Sequence, residues 1–161
     1  MASNALLKRM ASGIPGDISR RGVTTVEPTV TNPTGLPFSA YGLPGKLVAG
    51  VFLPFASGDA GTLIAGFLVR PYPTQTTNAN GTGVNPGVMQ DRMRRGWMTV
   101  KAQLGTPAIG NPVYVRNAAA VAGQIIGGLE AGTTANNSVI PGAFFSSAAD
   151  ADGNVEIEFN I

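Results

Sequence analysis

The sequence predicts an all-β fold, a small β-barrel or jelly-roll-like sandwich preceded by an extended N-terminal arm, on three observations. Twenty-two glycines and twelve prolines punctuate 161 residues, so connections are frequent and long helices are not expected. Short runs rich in Val, Ile, Phe and Tyr recur at regular intervals from Tyr41 onward, each bounded by Gly, Pro, Asn or Asp. At the end, Val155, Ile157 and Phe159 alternate with Glu156, Glu158 and Asn160, the period of a half-buried strand. A single domain of this length buries roughly 70% of its unfolded surface, enough for a real core.

The elements follow in order. Residues 1–36 read as the arm: a short helix over Asn4 to Met10, with Leu6, Leu7 and Met10 on one side, then an extended segment in which Pro28, Pro33 and Pro37 interrupt sheet pairing. Isolated helices this short are marginal in water, so this one needs a partner. Residues 37–161 read as one domain. Its strand candidates are "KLVAGVFLP", "GTLIAGFLVRP", "GWMTVKAQL", "PVYVRN", "GQIIGGL", "NSVIPGAFFSSA" and "NVEIEFN". A long loop is expected over residues 72–96, Thr-, Asn- and Gly-rich at first and then carrying Arg92, Arg94 and Arg95 beside Met89 and Met93.

Composition excludes several chemistries. Neither cysteine nor histidine occurs, which removes thiolate catalysis, the commonest general base and the commonest transition-metal ligand. A hydrolase would have to work with carboxylates alone. Asp150, Asp152 and Asn154 have the spacing of calcium ligands, but Val155 stands where that loop needs glycine and Ile161 where it needs a bidentate glutamate. The segment is therefore expected to be a turn into the last strand. "GTGVNPG" fails the phosphate-loop pattern, and the apolar run Leu63 to Val69 is far short of the ~20 residues of a membrane helix. No cofactor, no metal and no membrane partner are expected, and the N-terminus has the wrong order of features for a secretory signal.

Charge is divided unevenly. All eleven Lys and Arg lie in residues 1–116 against four acids, a net of +7, while residues 117–161 carry five acids and no base, a net of −5. This division suits head-to-tail contacts between copies. Arg92, Arg94 and Arg95 with Trp97 are too small a cluster to predict nucleic-acid binding. Glu156 and Glu158 share the solvent face of the last strand and are read as solvated or paired with a neighbour's arginines.

"GNPVYVRN", "VIPGAFF" and the ending "ADADGNVEI", together with "SRRGVTTVEP", "LPFSAYGLPGKLVAGVFLPF" and "AGFLVRPYPTQ", resemble the structural cement, or capsid decoration, proteins of tailed bacteriophages. The resemblance covers most of the chain from Ser19 onward. It implies a non-enzymatic β-rich protein, made in the host cytoplasm, that sits on the outer surface of the virion head and clamps neighbouring major capsid subunits. It also implies a homo-oligomer, a trimer in preference to a dimer. Contacts to the capsid or between subunits are then expected from Leu6, Leu7, Met10, Ile14, Ile18, Arg20 and Arg21 in the arm, from Arg92, Arg94 and Arg95, and from Glu156 and Glu158. The alternative is a virion surface binding module, a head-fibre base or a glycan-binding protein, with Trp97, Tyr72 and Tyr114 gathered on an open face.

Overall fold

A computed structural model describes residues 13–31, 35, 37–71 and 84–161. Nine strands form among the described residues: β1 (Thr25–Thr31), β2 (Pro44–Val48), β3 (Val51–Pro54), β4 (Gly66–Leu68), β5 (Met89–Leu104), β6 (Pro112–Arg116), β7 (Leu129–Ala131), β8 (Asn137–Phe145) and β9 (Asn154–Phe159). Single 3-10 turns stand at Arg21–Val23 and Gly61–Leu63.

The pairing closes twice. One circuit runs β1–β3–β2–β4–β5 and returns to β1; the other runs β5–β7–β6–β8–β9 and returns to β5. Both have the same connectivity. The first strand lies parallel to the third, and the second is antiparallel to both the third and the fourth. The fifth is antiparallel to the fourth and the first. The chain thus builds one five-stranded ring twice, with β5 last in the front ring and first in the back ring. Closure leaves few strand edges open to unwanted pairing.

β5 serves both rings because it is long, sixteen residues or about 50 Å, and it passes from β1 to β9 as partner between Arg95 and Gly96. This glycine has φ +133° and lies against Thr24, where a Cβ would come within 2.2 Å of the hydroxyl oxygen. Only glycine fits there.

The back ring has the alternation the sequence shows. Val155, Ile157 and Phe159 of β9 face Met98 and Val100 of β5, with Val113, Val115, Leu129 and Phe145 completing one buried cluster. Phe67 and Met93 extend this cluster across the junction, where Phe67 meets Phe159 edge-on at 5.2 Å. The front ring holds a smaller core in which Phe38 stacks on Phe52 at 5.1 Å, with Tyr41, Leu68 and Val84.

Four expectations are corrected. Residues 25–31, assigned to the arm, form β1 inside the front ring; Pro28 is tolerated because β1 meets β3 only at Val30 and Thr31, so at Pro28 the second edge has no strand to bond. The second half of the 72–96 loop is strand from Met89 onward, while residues 72–83 lie outside the described residues. "KLVAGVFLP" is two strands, joined by a two-residue turn in which Ala49 and Gly50 both have positive φ. "GQIIGGL" is a loop closed by a bridge between Val121 and Gln124, and the strand begins only at Leu129.

Candidate functional site

The chain enters the described structure at the junction of the two rings. Residues 13–19 run beside β5: the Gly16 and Ser19 amides donate to the Thr99 and Trp97 carbonyls, and the Thr99 amide donates to the Asp17 carbonyl. Gly16 has φ +93°, and a Cβ there would sit 2.6 Å from that of Tyr41, so the turn at Pro15–Gly16 packs directly onto the front ring. Ile18 is partly buried against the larger core, whereas Ile14 is exposed. The remaining apolar arm residues, Leu6, Leu7 and Met10, lie outside the described residues.

Side chains complete this attachment. Arg20 donates through Nε and Nη2 to the two carboxylate oxygens of Glu156, at 3.2 and 2.6 Å, and its guanidinium lies 4.9 Å from the centre of the Trp97 ring. Ser19 Oγ donates to the same carboxylate at 2.6 Å. The hydrogen bond to Glu156 raises the Arg20 pKa further. Trp97, set aside for stacking a ligand, therefore stacks an arginine of its own chain.

Among the described residues two ion pairs join the basic and acidic portions of the chain, Arg20 with Glu156 and Arg116 with Glu130, and the others lie within residues 1–116, so most of the charge imbalance remains. Lys46 pairs with Asp59, and Arg92 and Arg94 both with Glu27; Arg70 reaches Asp17 at 4.0 Å. Arg20, Arg92, Arg94 and Glu156, expected at contacts with neighbours, each have an ion-pair partner within the chain. Arg92 is buried, donating also to the Ala65 carbonyl at 2.8 Å and lying over Phe52. The hydrogen bond from Arg94, with the positive charge of both arginines, holds the Glu27 carboxyl below the usual carboxylate range against the effect of desolvation. Arg21 and Arg95 are exposed and Glu158 is half-buried, and none makes an ion pair among the described residues.

One network escaped the sequence reading. Glu130 is fully buried on β7; its Oε1 accepts from Arg116 Nε at 2.6 Å and Gln103 Nε2 at 3.1 Å, and its Oε2 from Asn137 Nδ2 at 2.7 Å. Arg116 also donates to the Ala119 carbonyl at 2.9 Å. Every oxygen of the buried carboxylate is satisfied, which such a charge requires. The available signal was the position of Arg116 as the last base before an all-acid tail.

Two surface features remain. At the tip of the front ring Met89, Val30, Val51 and Val48 stand opposite one another across β5, β1, β3 and β2, and all but the half-buried Val51 are exposed. Leu47, which precedes Val48 and pairs with the buried Phe52, and Val88, which precedes Met89, are also exposed at this tip, on the opposite side of their strands. Along the side, between residues 14–21 and the outer face of β1 and β5, runs a groove of about 600 Å³, floored by Val26, Val69 and Pro71. A shallower extension of about 130 Å³ continues past Asp91 to Pro28 and Met89.

No cluster of three metal-ligating side chains occurs among the described residues, and no helix there is long and apolar enough to cross a membrane. Asp150 organises the last turn: its Oδ1 accepts from the Asp152 and Asn154 amides, each at 2.9 Å, and Gly153 takes the positive φ.

Comparison with known proteins agrees with this structural character. No curated protein matches the sequence. A chain from the solved structure "The capsid of Myoviridae Phage XM1" shares the fold, with a TM-score of 0.71 at 18% identity over 99% of this chain and 98% of that one. Residues 3–160 match the structural cement protein family (E217 gp24/Pam3 gp6), so nearly the whole chain, both rings included, belongs to the phage structural cement proteins and has a structural role in the capsid.

Proposed function

We propose that this protein binds the outside of the phage head as a trimer and clamps adjacent major capsid subunits, with the tip of the front ring as its principal contact. The observation that carries this reading is the row Met89, Val30, Val51, Val48. These side chains lie on one face of four paired strands and leave a contiguous apolar patch in water, which soluble monomers rarely do without a partner. The row carries no charge, and charge depletion marks the centre of stable interfaces. The back ring, with its larger buried cluster, supplies the support from which such a patch resists shell expansion.

The test is co-sedimentation with mature heads that lack the protein. Wild type is expected to bind saturably, and the double substitution Val48→Asp with Met89→Asp to lose at least tenfold in affinity while retaining a native circular dichroism spectrum. Undiminished binding of that variant would remove the tip from the contact. A truncation testing the arm should begin at Gly13, because a start near residue 36 deletes β1 and opens the front ring.

A further inference from the structure

We infer that the groove beside β1 is the receptor for the N-terminal twelve residues of a neighbouring copy, so that cement subunits are linked to each other by exchanged arms; this rests on the capsid reading above only in that copies sit side by side.

The groove matches the segment in kind. Its floor of Val26, Val69 and Pro71 is apolar, and Ile14 borders it half-exposed, which offers sites for Leu6, Leu7 and Met10. Those three are the only large apolar side chains between Met1 and Gly13. Asp91 is the one charged side chain at the far end of the groove among the described lining residues, and it makes no ion pair among them. Lys8 and Arg9 lie between the apolar residues of the segment and supply the opposite charge. Arg70, which also borders the groove, is occupied by the Pro15 carbonyl and by the face of Tyr41.

Length and origin favour a neighbour's segment over the chain's own. Twelve residues span about 40 Å when extended, enough to cross to an adjacent copy. The segment is rooted at Gly13, and the wall of the groove is made by that root, including Ile14, Asp17 and Ile18. To enter its own groove the chain would have to double back at once. A reversal takes about four residues, which would consume residues 10–13 and lift Met10 off the floor. A segment arriving from outside keeps all its anchors available.

The absence of cysteine makes the test direct. A tagged population carrying Leu7→Cys is mixed with an untagged population carrying Val26→Cys, both full-length, and oxidised in concentrated solution and again on heads. A covalent dimer containing one chain of each kind is expected. Asp91→Arg in the receiving chain should lower its yield at least fivefold, and Lys8→Glu with Arg9→Glu in the donating chain should restore it. Replacing Val26→Cys by Ile109→Cys, exposed and away from both the groove and the tip, controls for random collision. Cross-linking confined to single chains that carry both Leu7→Cys and Val26→Cys would assign the groove to the chain's own segment and overturn the inference. Absence of either product from protein that still decorates heads would overturn it as well, leaving the capsid reading intact. Dimers formed by protein that fails to bind heads would do the reverse.

Discussion

The front and back rings share one connectivity and one strand, yet their interiors follow opposite rules. In the back ring the inward positions of β9 and of the C-terminal half of β5 are Val155, Ile157, Phe159, Met98 and Val100, and the single buried ion pair has every acceptor filled. In the front ring β1 turns Glu27, Thr29 and Thr31 inward and leaves Val26, Pro28 and Val30 on the outside. Its Arg92–Glu27 pair is partly exposed, whereas the unpartnered buried polar atoms among the described residues occur in both rings, Arg92 Nε in the front and Trp97 Nε1 and Ser146 Oγ in the back. Identical topology therefore does not impose the same interior. Both rings leave apolar side chains in water, Val26, Val30 and Val48 on the front and Leu104, Val139 and Phe144 on the back; what differs is that β1 of the front ring seats polar residues inside.

The comparison is most sharply broken at Glu130. Replacing it by alanine strands Arg116 without its counter-charge in the back ring, and a loss of about 3–5 kcal/mol is expected in denaturant unfolding of the purified protein. The paired change Glu130→Leu with Arg116→Met should recover most of it, because two apolar groups of similar volume leave no charge unpaired. If Glu130→Ala were as stable as wild type, the back ring would not be the supporting partner described here.

A smaller, pH-dependent effect is expected in the front ring. The Glu27 carboxyl is lowered by its arginines, so the stabilisation it provides is fully present above the ordinary carboxylate pKa of about 4.3 and is lost as pH falls through the lowered value of the folded state. Amide exchange in β1 should accelerate over that acid range while β9 stays protected, and Glu27→Gln should abolish the difference in pH dependence. Equal acceleration in both strands would mean that the rings open together.

The smallest effect is expected where the N-terminal segment is fastened. Arg20 is half-exposed and its pair with Glu156 is screened by solvent, so Arg20→Ala should cost less than about 1 kcal/mol globally. Its effect should instead be local, as faster exchange of the Gly16 and Ser19 amides that bond β5. Unaltered exchange there would show that backbone bonds alone hold the segment.

What could be read from the residues was whatever obeys a simple period. β9 and its Asp150 turn, β6, β8 and the C-terminal half of β5 all lie where apolar alternation and turn residues place them. β1 and the N-terminal half of β5 did not reveal themselves, because a strand with Glu27 or Arg92 inside reads as a solvated loop until its partner is known. β7 was hidden for the same reason: Leu129–Ala131 is three residues long with a carboxylate at its centre. "GQIIGGL" misled in the other direction, since Gly123 and Gly127 adopt positive φ and leave Ile125 exposed.

The sequence alone determined the all-β class, the exclusion of thiol and histidine chemistry, the terminal strand and the resemblance to cement proteins, because composition and short-range alternation are local properties. Tertiary structure decided the repeated ring, the sharing of β5, the internal pairing of the arginines expected to meet a neighbour, and the site of the groove. Each of these depends on which distant residues meet: an arginine reads alike whether it faces solvent, a partner or a glutamate sixty-five residues away.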